Sequence, residues 1–531
     1  MVNTFDIDTH PLEIVLSILM VACFLNGGYS QSMGEATSER PNIIVILSDD
    51  MGYSDLGCTG SEIQTPHIDE LAKDGVLFTH CYNASRCCPS RASLLTGLYQ
   101  HRAGVGHMSQ DRGLPAYQGH LNQQCVTIAE VLREKGYRTI MSGKWHVGDQ
   151  RAYWPDRRGF DRFFGIPAGG GVYFYPSEFI DRSIYRNGEL VTPNPETFYS
   201  TDNFTDEAIQ FIREADAEQK PFFLYLAYIA PHFPLQAWPE DIAKYQRKYD
   251  AGYEAIRTQR FRRQQDLGVV SETTKLSPAD FPNWSSLADP SAEARKMEIY
   301  AAQVDRLDQN IGRLREALRS MNALDNTIIM FLSDNGASSE EVNRGSSSPK
   351  AVGTKDSFVS YGKHWANVSN TPYRLYKSMA HEGGAITPLI VHWPAGIAKP
   401  NQLVHQPVHI NDIMPTCLEL AGANYPKQYK GRKILSLDGK SFLSTLNGEN
   451  FSHEQLFWEH EGNQAVREKD MKLVRQHNQA WELYDLATDP TELNDLRDTK
   501  IQTAQRMQKQ YQRWMKQNGV RAWPLSDSSK P

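Results

Sequence analysis

The chain has 531 residues, ample for a large core, with 40% hydrophobic and 22% charged residues, ordinary values for a soluble globular protein. A net charge of −7 and a pI near 6.2 supply no global positive field to attract a phosphate backbone, which argues against a nucleic-acid binder or an acidic-membrane binder. Seven widely scattered cysteines are not a disulfide scaffold, although one or two bridges stay open.

The apolar stretch 14–25 suits the core of a secretory leader and is short for a membrane span. Residues 1–30 are therefore assigned to a signal peptide cleaved after Ser30, and export to a periplasm or the medium is expected. Asp6, Asp8 and Glu13 stand where such a leader usually carries Lys or Arg, and Cys23 leaves a lipid anchor as the alternative. No other segment is apolar enough to span a bilayer.

Apolar runs at 42–47, 138–141, 222–229, 327–332 and 388–392 read as buried strands of a parallel sheet. Helical patterns lie between them, at 68–75 and 127–135. The clearest sets Met297, Tyr300, Ala301, Val304, Leu307, Ile311, Leu314 and Leu318 on one face of a long helix. The alternation predicts an α/β fold, a large mixed, mostly parallel sheet sandwiched by helices. The residues just past each strand are more telling. Asp49 and Asp50 come after the first, Lys144 and His146 after the second, His232 after the third, Asp334 and Asn335 after the fourth. Sites in open α/β sheets form at the carboxyl ends of strands, so four runs deliver chemistry to one edge.

Residues 237–290 form a polar insertion with Lys244, Arg247, Lys248, Arg257, Arg260, Arg262 and Arg263, read as a solvated helical face, with a polyanion groove as the alternative. Residues 338–369, rich in Ser, Gly, Asn and Lys, read as a substrate-shaping loop. From 452 the pattern changes to short strands and a final helix, a small α+β subdomain.

The run Cys87 to Gly97, CCPSRASLLTG, is the most specific in the chain. Pro89 is expected to bend it into a turn, Arg91 to set a guanidinium beside Cys87, and 92–95 to open a helix whose amide end favours an anion. Asp49, Asp50, Asp334 and Asn335 offer only oxygen, the donor set of a hard divalent cation, Ca²⁺ first and Mg²⁺ second, and not of zinc.

Cys87 with Pro89, Ser90, Arg91, Thr96 and Gly97 resembles the signature of the type I sulfatases of the alkaline phosphatase superfamily. The resemblance runs on through Ser48-Asp49-Asp50-Met51-Gly52, Gly143-Lys144-Trp145-His146-Val147-Gly148, Pro231-His232-Phe233-Pro234, Ser333-Asp334-Asn335-Gly336, Lys377 to Gly384, and Leu483-Tyr484-Asp485-Leu486. It implies an alkaline-phosphatase-like catalytic domain at 38–451 and a C-terminal subdomain at 452–525. Cys87, rather than Cys88, would be oxidised to formylglycine by a formylglycine-generating enzyme, and its hydrate would attack sulfur and complete the metal shell of Asp49, Asp50, Asp334 and Asn335. Arg91, Lys144 and Lys377 would hold the sulfate oxygens, His232 would protonate the leaving alcohol, and His146 would act as the base that releases sulfate. Substrates would be sulfated small molecules or sulfated carbohydrates. Ile386 stands where many members carry an arginine, a departure that bears on substrate class. The rival readings are a phosphonate or phosphodiester hydrolase, which tends to carry Asp-His where this chain has Asn335, and an inactive glycan-binding relative, which should have lost ligands that are all present. His107 and His460 are weaker pocket candidates.

Overall fold

Apart from residues 1 and 2, the computed structural model describes residues 40–345 and 351–525, so the expected leader and Cys23 lie outside the described residues. Arg40–Pro531 is one compact unit. Its main sheet has eleven strands: β1 (Asn42–Asp49), β2 (Val76–Tyr82), β3 (Arg138–Lys144), β4 (Arg162–Ile166), β5 (Ile184–Arg186), β6 (Glu189–Val191), β7 (Phe222–Pro231), β8 (Thr327–Ser333) and, beyond the small hairpin of β9 (Asn343–Gly345) and β10 (Ser357–Val359), β11 (Ile386–His392), β12 (Gln402–Val404) and β13 (Val408–His409). The order is β12-β2-β11-β8-β1-β7-β3-β4-β5-β6, with β13 beside β2. At its centre β8, β1, β7 and β3 are parallel neighbours, in register as Ile44↔Ile329, Ile44↔Leu224 and Ile140↔Leu224.

These central strands are buried on both faces, which is why they read as unbroken apolar runs. Alternation along β1 sends Ile43, Val45 and Leu47 to one core and Ile44 and Ile46 to the other. Helices α1 (Pro66–Lys73) and, further on, α4 (Ser200–Ala217) and α6 (Pro290–Ser320) supply the second core through Ile68, Phe204 and Met297. Helices α2 (Cys87–Thr96), α3 (Ile128–Glu134) and α7 (Ile413–Leu420) supply the first through Leu94, Ile128 and Ile413. Thr127 caps α3 reciprocally with Glu130, and Asp289 caps α6 ahead of Pro290.

Two expectations are corrected. The run 388–392 belongs to β11, which is antiparallel to both β8 and β2. The chain leaves β8 at the carboxyl edge with Asp334 and Asn335 and is at that edge again at Lys377, beside Asp50, so it enters β11 from there and runs back. The basic insertion is a solvated face only in part: Lys244, Arg247 and Arg262 are exposed, but Arg257 and Arg260 are not. In α5 (Gly252–Asp266) Arg260 is fully buried, bonding Asp55 at 2.6 Å and Glu62 at 2.8 Å, and buried Arg257 bonds the Ser277 carbonyl at 2.8 Å. These two are internal struts: acids from about 200 residues earlier meet Arg260, and a backbone carbonyl and a hydroxyl meet Arg257.

Beyond the short hairpin β14 (Gln428–Tyr429) and β15 (Arg432–Lys433), the chain forms a second sheet, antiparallel, of β16 (Leu456–His460), β17 (Asn463–Glu468), β18 (Met471–Arg475) and β19 (Glu482–Asp485). Helix α8 (Ile501–Gln517) covers it through Met507, Tyr511 and Trp514, packed on Val466, Leu473 and Leu483. Buried Lys472 ties this sheet to the main one, 2.5 Å from Glu382 and 2.9 Å from Glu492. Cys58, Cys81, Cys87, Cys88, Cys125 and Cys417 are free thiols. Among the described residues no helix is long and apolar enough to cross a membrane.

Candidate active site

The carboxyl ends of β8, β1, β7 and β3 bring Asp334 and Asn335, Asp49 and Asp50, His232, and Lys144 and His146 to one edge, as the sequence suggested. The amino end of α2 adds Cys87 and Arg91, and the segment before β11 adds Lys377. The cysteine run differs from expectation in one respect. The helix begins at Cys87 itself, after an extended Arg86, so Pro89 sits inside the first turn instead of bending the chain ahead of it. First-turn amides have no intrahelical acceptor, so a proline there forfeits no bond. Arg91 falls four residues after Cys87, on the same helix face, which accounts for the spacing in C-x-P-S-R. Ser90 turns back, its hydroxyl accepting from the Ala84 amide at 2.9 Å.

Each carboxylate meets a cation. Lys144 Nζ lies 2.5 Å from Asp49 Oδ2, and Arg91 Nη2 lies 3.4 Å from the same oxygen. Arg91 donates to Asp334 Oδ2 from Nε at 3.1 Å and from Nη2 at 2.8 Å, and its Nη1 donates to the Lys144 carbonyl at 2.9 Å. Lys377 Nζ donates to Asp50 Oδ2 and to Glu340 Oε2, both at 2.8 Å. Asn335 Nδ2 donates to Asp50 Oδ1 at 2.7 Å. The donor atoms of Cys87, Cys88 and His146 lie within 4.8 Å of one another. His232 Nδ1 is 2.5 Å from the Phe233 carbonyl oxygen, which places the proton on Nδ1 and leaves Nε2 facing Asp50 Oδ2 at 3.5 Å. Asp50, Ser85, His146 and Ser378, all near where the side chains converge, have left-handed backbone, with φ of 64°, 60°, 59° and 73°.

The electrostatics reflect burial and charge. Burial, then the neighbouring charge of Asp49, pushes Asp334 well above the usual carboxylate range. Burial also works against ionised Asp49, but Lys144, His232 and Arg91 outweigh it and bring the group to about 2. A hydrogen bond from Cys88, with Lys144 and His146, holds the Cys87 thiol well below its usual range against burial. Burial lowers His146. Asp49 Oδ1 and Asn335 Oδ1 are buried without a hydrogen-bond partner among the described residues. Two orphaned oxygens, a carboxyl that resists ionisation and an all-oxygen donor set fit a hard divalent cation.

Arg86, Glu340 and Ser378 were not singled out in the sequence. Arg86 Nη1 donates to Ser378 Oγ at 2.8 Å, and its Nη2 lies 3.6 Å from Glu340 Oε1, so with Lys377 they form the outer rim. Their signals were faint: Arg86 adjoins Cys87, and Glu340 stands in the loop read as substrate-shaping. Ile386, the departure from the family pattern, is 1% exposed at the start of β11 and belongs to the core.

A charged cluster with hard oxygen donors at the carboxyl edge of a mixed α/β sheet defines a hydrolase of alkaline-phosphatase-like fold. A sequence model described as Sulfatase matches residues 41–423, and one described as N-sulphoglucosamine sulphohydrolase, C-terminal, matches 373–519. An uncharacterized sulfatase of Schizosaccharomyces pombe is 36% identical over 505 residues, covering 87% of this chain and 91% of its own. An arylsulfatase of Klebsiella aerogenes is 35% identical over 435 residues, covering 78% and 93%. The crystal structure of Ps i-CgsB in complex with k-i-k-neocarrahexaose superposes with a TM-score of 0.70 at 28% identity, covering 92% of this chain and 96% of that one. The chain belongs to the type I sulfatase family and hydrolyses sulfate esters. The family's chemistry is formylglycine- and divalent-metal-dependent.

Proposed function

We propose an exported sulfatase that cleaves sulfate monoesters of carbohydrates at formylglycine 87, with Ca²⁺ as the resident ion and Mg²⁺ as the alternative. The carrying observation is the convergence of three cations, two histidines and four oxygen donors on Cys87 at the start of α2. Oxidised to the aldehyde and hydrated, residue 87 would supply two hydroxyls on one carbon, one to attack sulfur and one to allow sulfate release. A divalent ion held by Asp49, Asp50, Asp334 and Asn335 would supply positive charge beside that hydroxyl and the sulfate oxygens.

The chain's own residues do the rest. Arg91, Lys144 and Lys377 are fixed cations at the pocket wall, set to stabilise charge that spreads over the sulfate oxygens in the transition state. His232 has Nδ1–H committed to the Phe233 carbonyl, so it acts through Nε2, and in its imidazolium form it delivers the Nε2 proton to the leaving alkoxide. His146 is kept neutral by burial beside residue 87 and takes the proton whose loss lets sulfate depart. Residues 38–451 form the catalytic domain in this reading, and 452–525 a subdomain that closes one side of the pocket.

The carbohydrate reading is supported by the kinship with Ps i-CgsB, whose crystal structure holds k-i-k-neocarrahexaose. Sulfate in preference to phosphate is a matter of charge. Each carboxylate of the cluster is already paired and the fourth donor is a neutral amide. A singly charged sulfate monoester therefore suffers less repulsion than a nearly doubly charged phosphate. Turnover of an aryl sulfate should exceed that of the matching aryl phosphate by orders of magnitude, each ~1.4 kcal/mol of differential stabilisation giving tenfold. A purified enzyme that prefers the phosphate ester overturns the reading.

A further inference from the structure

The hairpin joining β16 to β17 has one side against the candidate active site and the other against a cavity of about 330 Å³. Asn463 Nδ2 donates to the Ser378 carbonyl at 3.1 Å, and Ser378 Oγ accepts from Arg86, the residue before Cys87. The turn residues Glu461 and Gly462 both have left-handed backbone, with φ of 51° and 80°, the pattern of a type I′ turn. A Cβ on Gly462 would fall 2.3 Å from His477 Nδ1 and 3.1 Å from Trp523 Cβ, so the turn packs against the cavity wall only because it has no side chain there.

Three rings run outward along this hairpin. His460 is 2% exposed, and neither ring nitrogen has a hydrogen-bond partner among the described residues. Arg86 and Cys87 are both near enough to act on its charge. His107 stacks on His460 with centroids 5.6 Å apart and planes at 11°, and Trp523 stacks on His107 at 4.9 Å and 29°. Glu461 fixes the middle ring, its Oε1 2.9 Å from His107 Nε2. Trp523 then forms part of the cavity lining, together with Trp481, Gln464, Gln508, Gln512 and Arg475. Arg475 packs its guanidinium 4.8 Å over the Trp481 ring and donates from Nε to Gln464 Oε1 at 2.9 Å. Its two η nitrogens have no partner among the described residues. Among the described residues no carboxylate lines the cavity.

Half-buried indoles, side-chain amides and an available guanidinium, without an acid, suit a sugar ring that carries an anionic group. The ring's C–H face lies on an indole, its hydroxyls bond the amides, and its sulfate or carboxylate takes the guanidinium fork. We propose that this cavity is a remote subsite for an anionic sugar unit of the same saccharide chain whose sulfate is cleaved at residue 87. The proposal rests on the sulfated-carbohydrate reading above and extends it to a substrate several sugars long.

The test uses full-length Cys87→Ala protein, which binds without turnover, and fluorescently labelled hexasaccharides of carrageenan and of heparan sulfate with the matching disaccharides. At least one hexasaccharide should bind tenfold or more tightly than its disaccharide. Trp523→Ala and Arg475→Gln, made in that background, should each erase most of the difference. In the otherwise wild-type enzyme the same two substitutions should leave kcat/KM for a small aryl sulfate within twofold, which also shows that they fold. Hexasaccharide affinity unchanged in both variants overturns the subsite. So does the absence of any hexasaccharide preference in an enzyme that turns over the aryl sulfate, and in that case the sulfatase reading survives. Failure of the wild-type enzyme on every sulfate ester would instead sink the proposed function.

Discussion

Replacing Lys144 by methionine keeps the aliphatic stem and removes only the ammonium. That ammonium lies 2.5 Å from Asp49 Oδ2, and both side chains are fully buried. Breaking a buried ion pair costs roughly 3–5 kcal/mol when the remaining charge is left alone. Asp49 is not left alone, because Arg91 Nη2 stays 3.4 Å from the same oxygen. The stability loss should therefore fall at or below the lower end of that range, seen as a lower melting temperature in a protein that still folds. The catalytic loss is separate. Removing one preorganised group that faces developing charge costs about 10²–10³ in kcat, or about 2.7–4 kcal/mol. The assay is kcat and KM on an aryl sulfate, with thermal unfolding, bound metal and aldehyde content at residue 87 measured on the same preparation. Lys144→Met should lose about 10²–10³ in kcat while keeping its metal, since all four oxygen donors remain. A kcat within tenfold of wild type would make Lys144 a structural counter-ion only. Loss of activity in step with loss of metal would mean that it acts through the cation.

The two histidines should fail differently. His232→Ala should slow alkyl sulfates far more than esters of activated phenols, because only poor leaving groups need the proton. His146→Ala should instead accumulate protein sulfated at residue 87, read by intact mass, and trapping in the His232 variant alone would reverse the assignments. Chelation should abolish turnover, with Ca²⁺ or Mg²⁺ restoring it and Zn²⁺ not; unimpaired activity in metal-free protein would remove the ion from the site. Burial pushes His392 and His409 from 6.5 down to about 4, so each is neutral in the folded chain. Between those values the unfolded chain binds more protons, so stability is complete above pH ~6.5 and falls as pH drops towards 4. Differential scanning fluorimetry should show that slope flattened in His409→Gln, and an unchanged slope would assign it to other groups.

The central strands were legible because β1, β7 and β8 are buried on both faces and, after the polar first residues Asn42 and Thr327, run through hydrophobic side chains to their carboxyl ends. The acids, lysine and histidines that end them stood out for the same reason. β2 was missed because Thr79 and His80 interrupt its apolar run. The direction of β11 was hidden because orientation depends on how the preceding segment is routed, which no periodicity records. Arg260 looked like surface charge because its acids, Asp55 and Glu62, lie about 200 residues earlier. Glu340 shows the same blindness at the site itself, since only the fold brings it to Lys377.

In the proposed mechanism the site is arranged around one residue, Cys87, that must not remain a thiol. The most direct measurement tracks aldehyde occupancy at position 87 by peptide mass spectrometry in preparations matured to different extents, alongside aryl sulfate turnover by each. Activity should rise in proportion to aldehyde at Cys87, with Cys88 unmodified throughout and Cys87→Ala folded but inactive. Full turnover in protein whose residue 87 is an intact cysteine would contradict the mechanism at its first step.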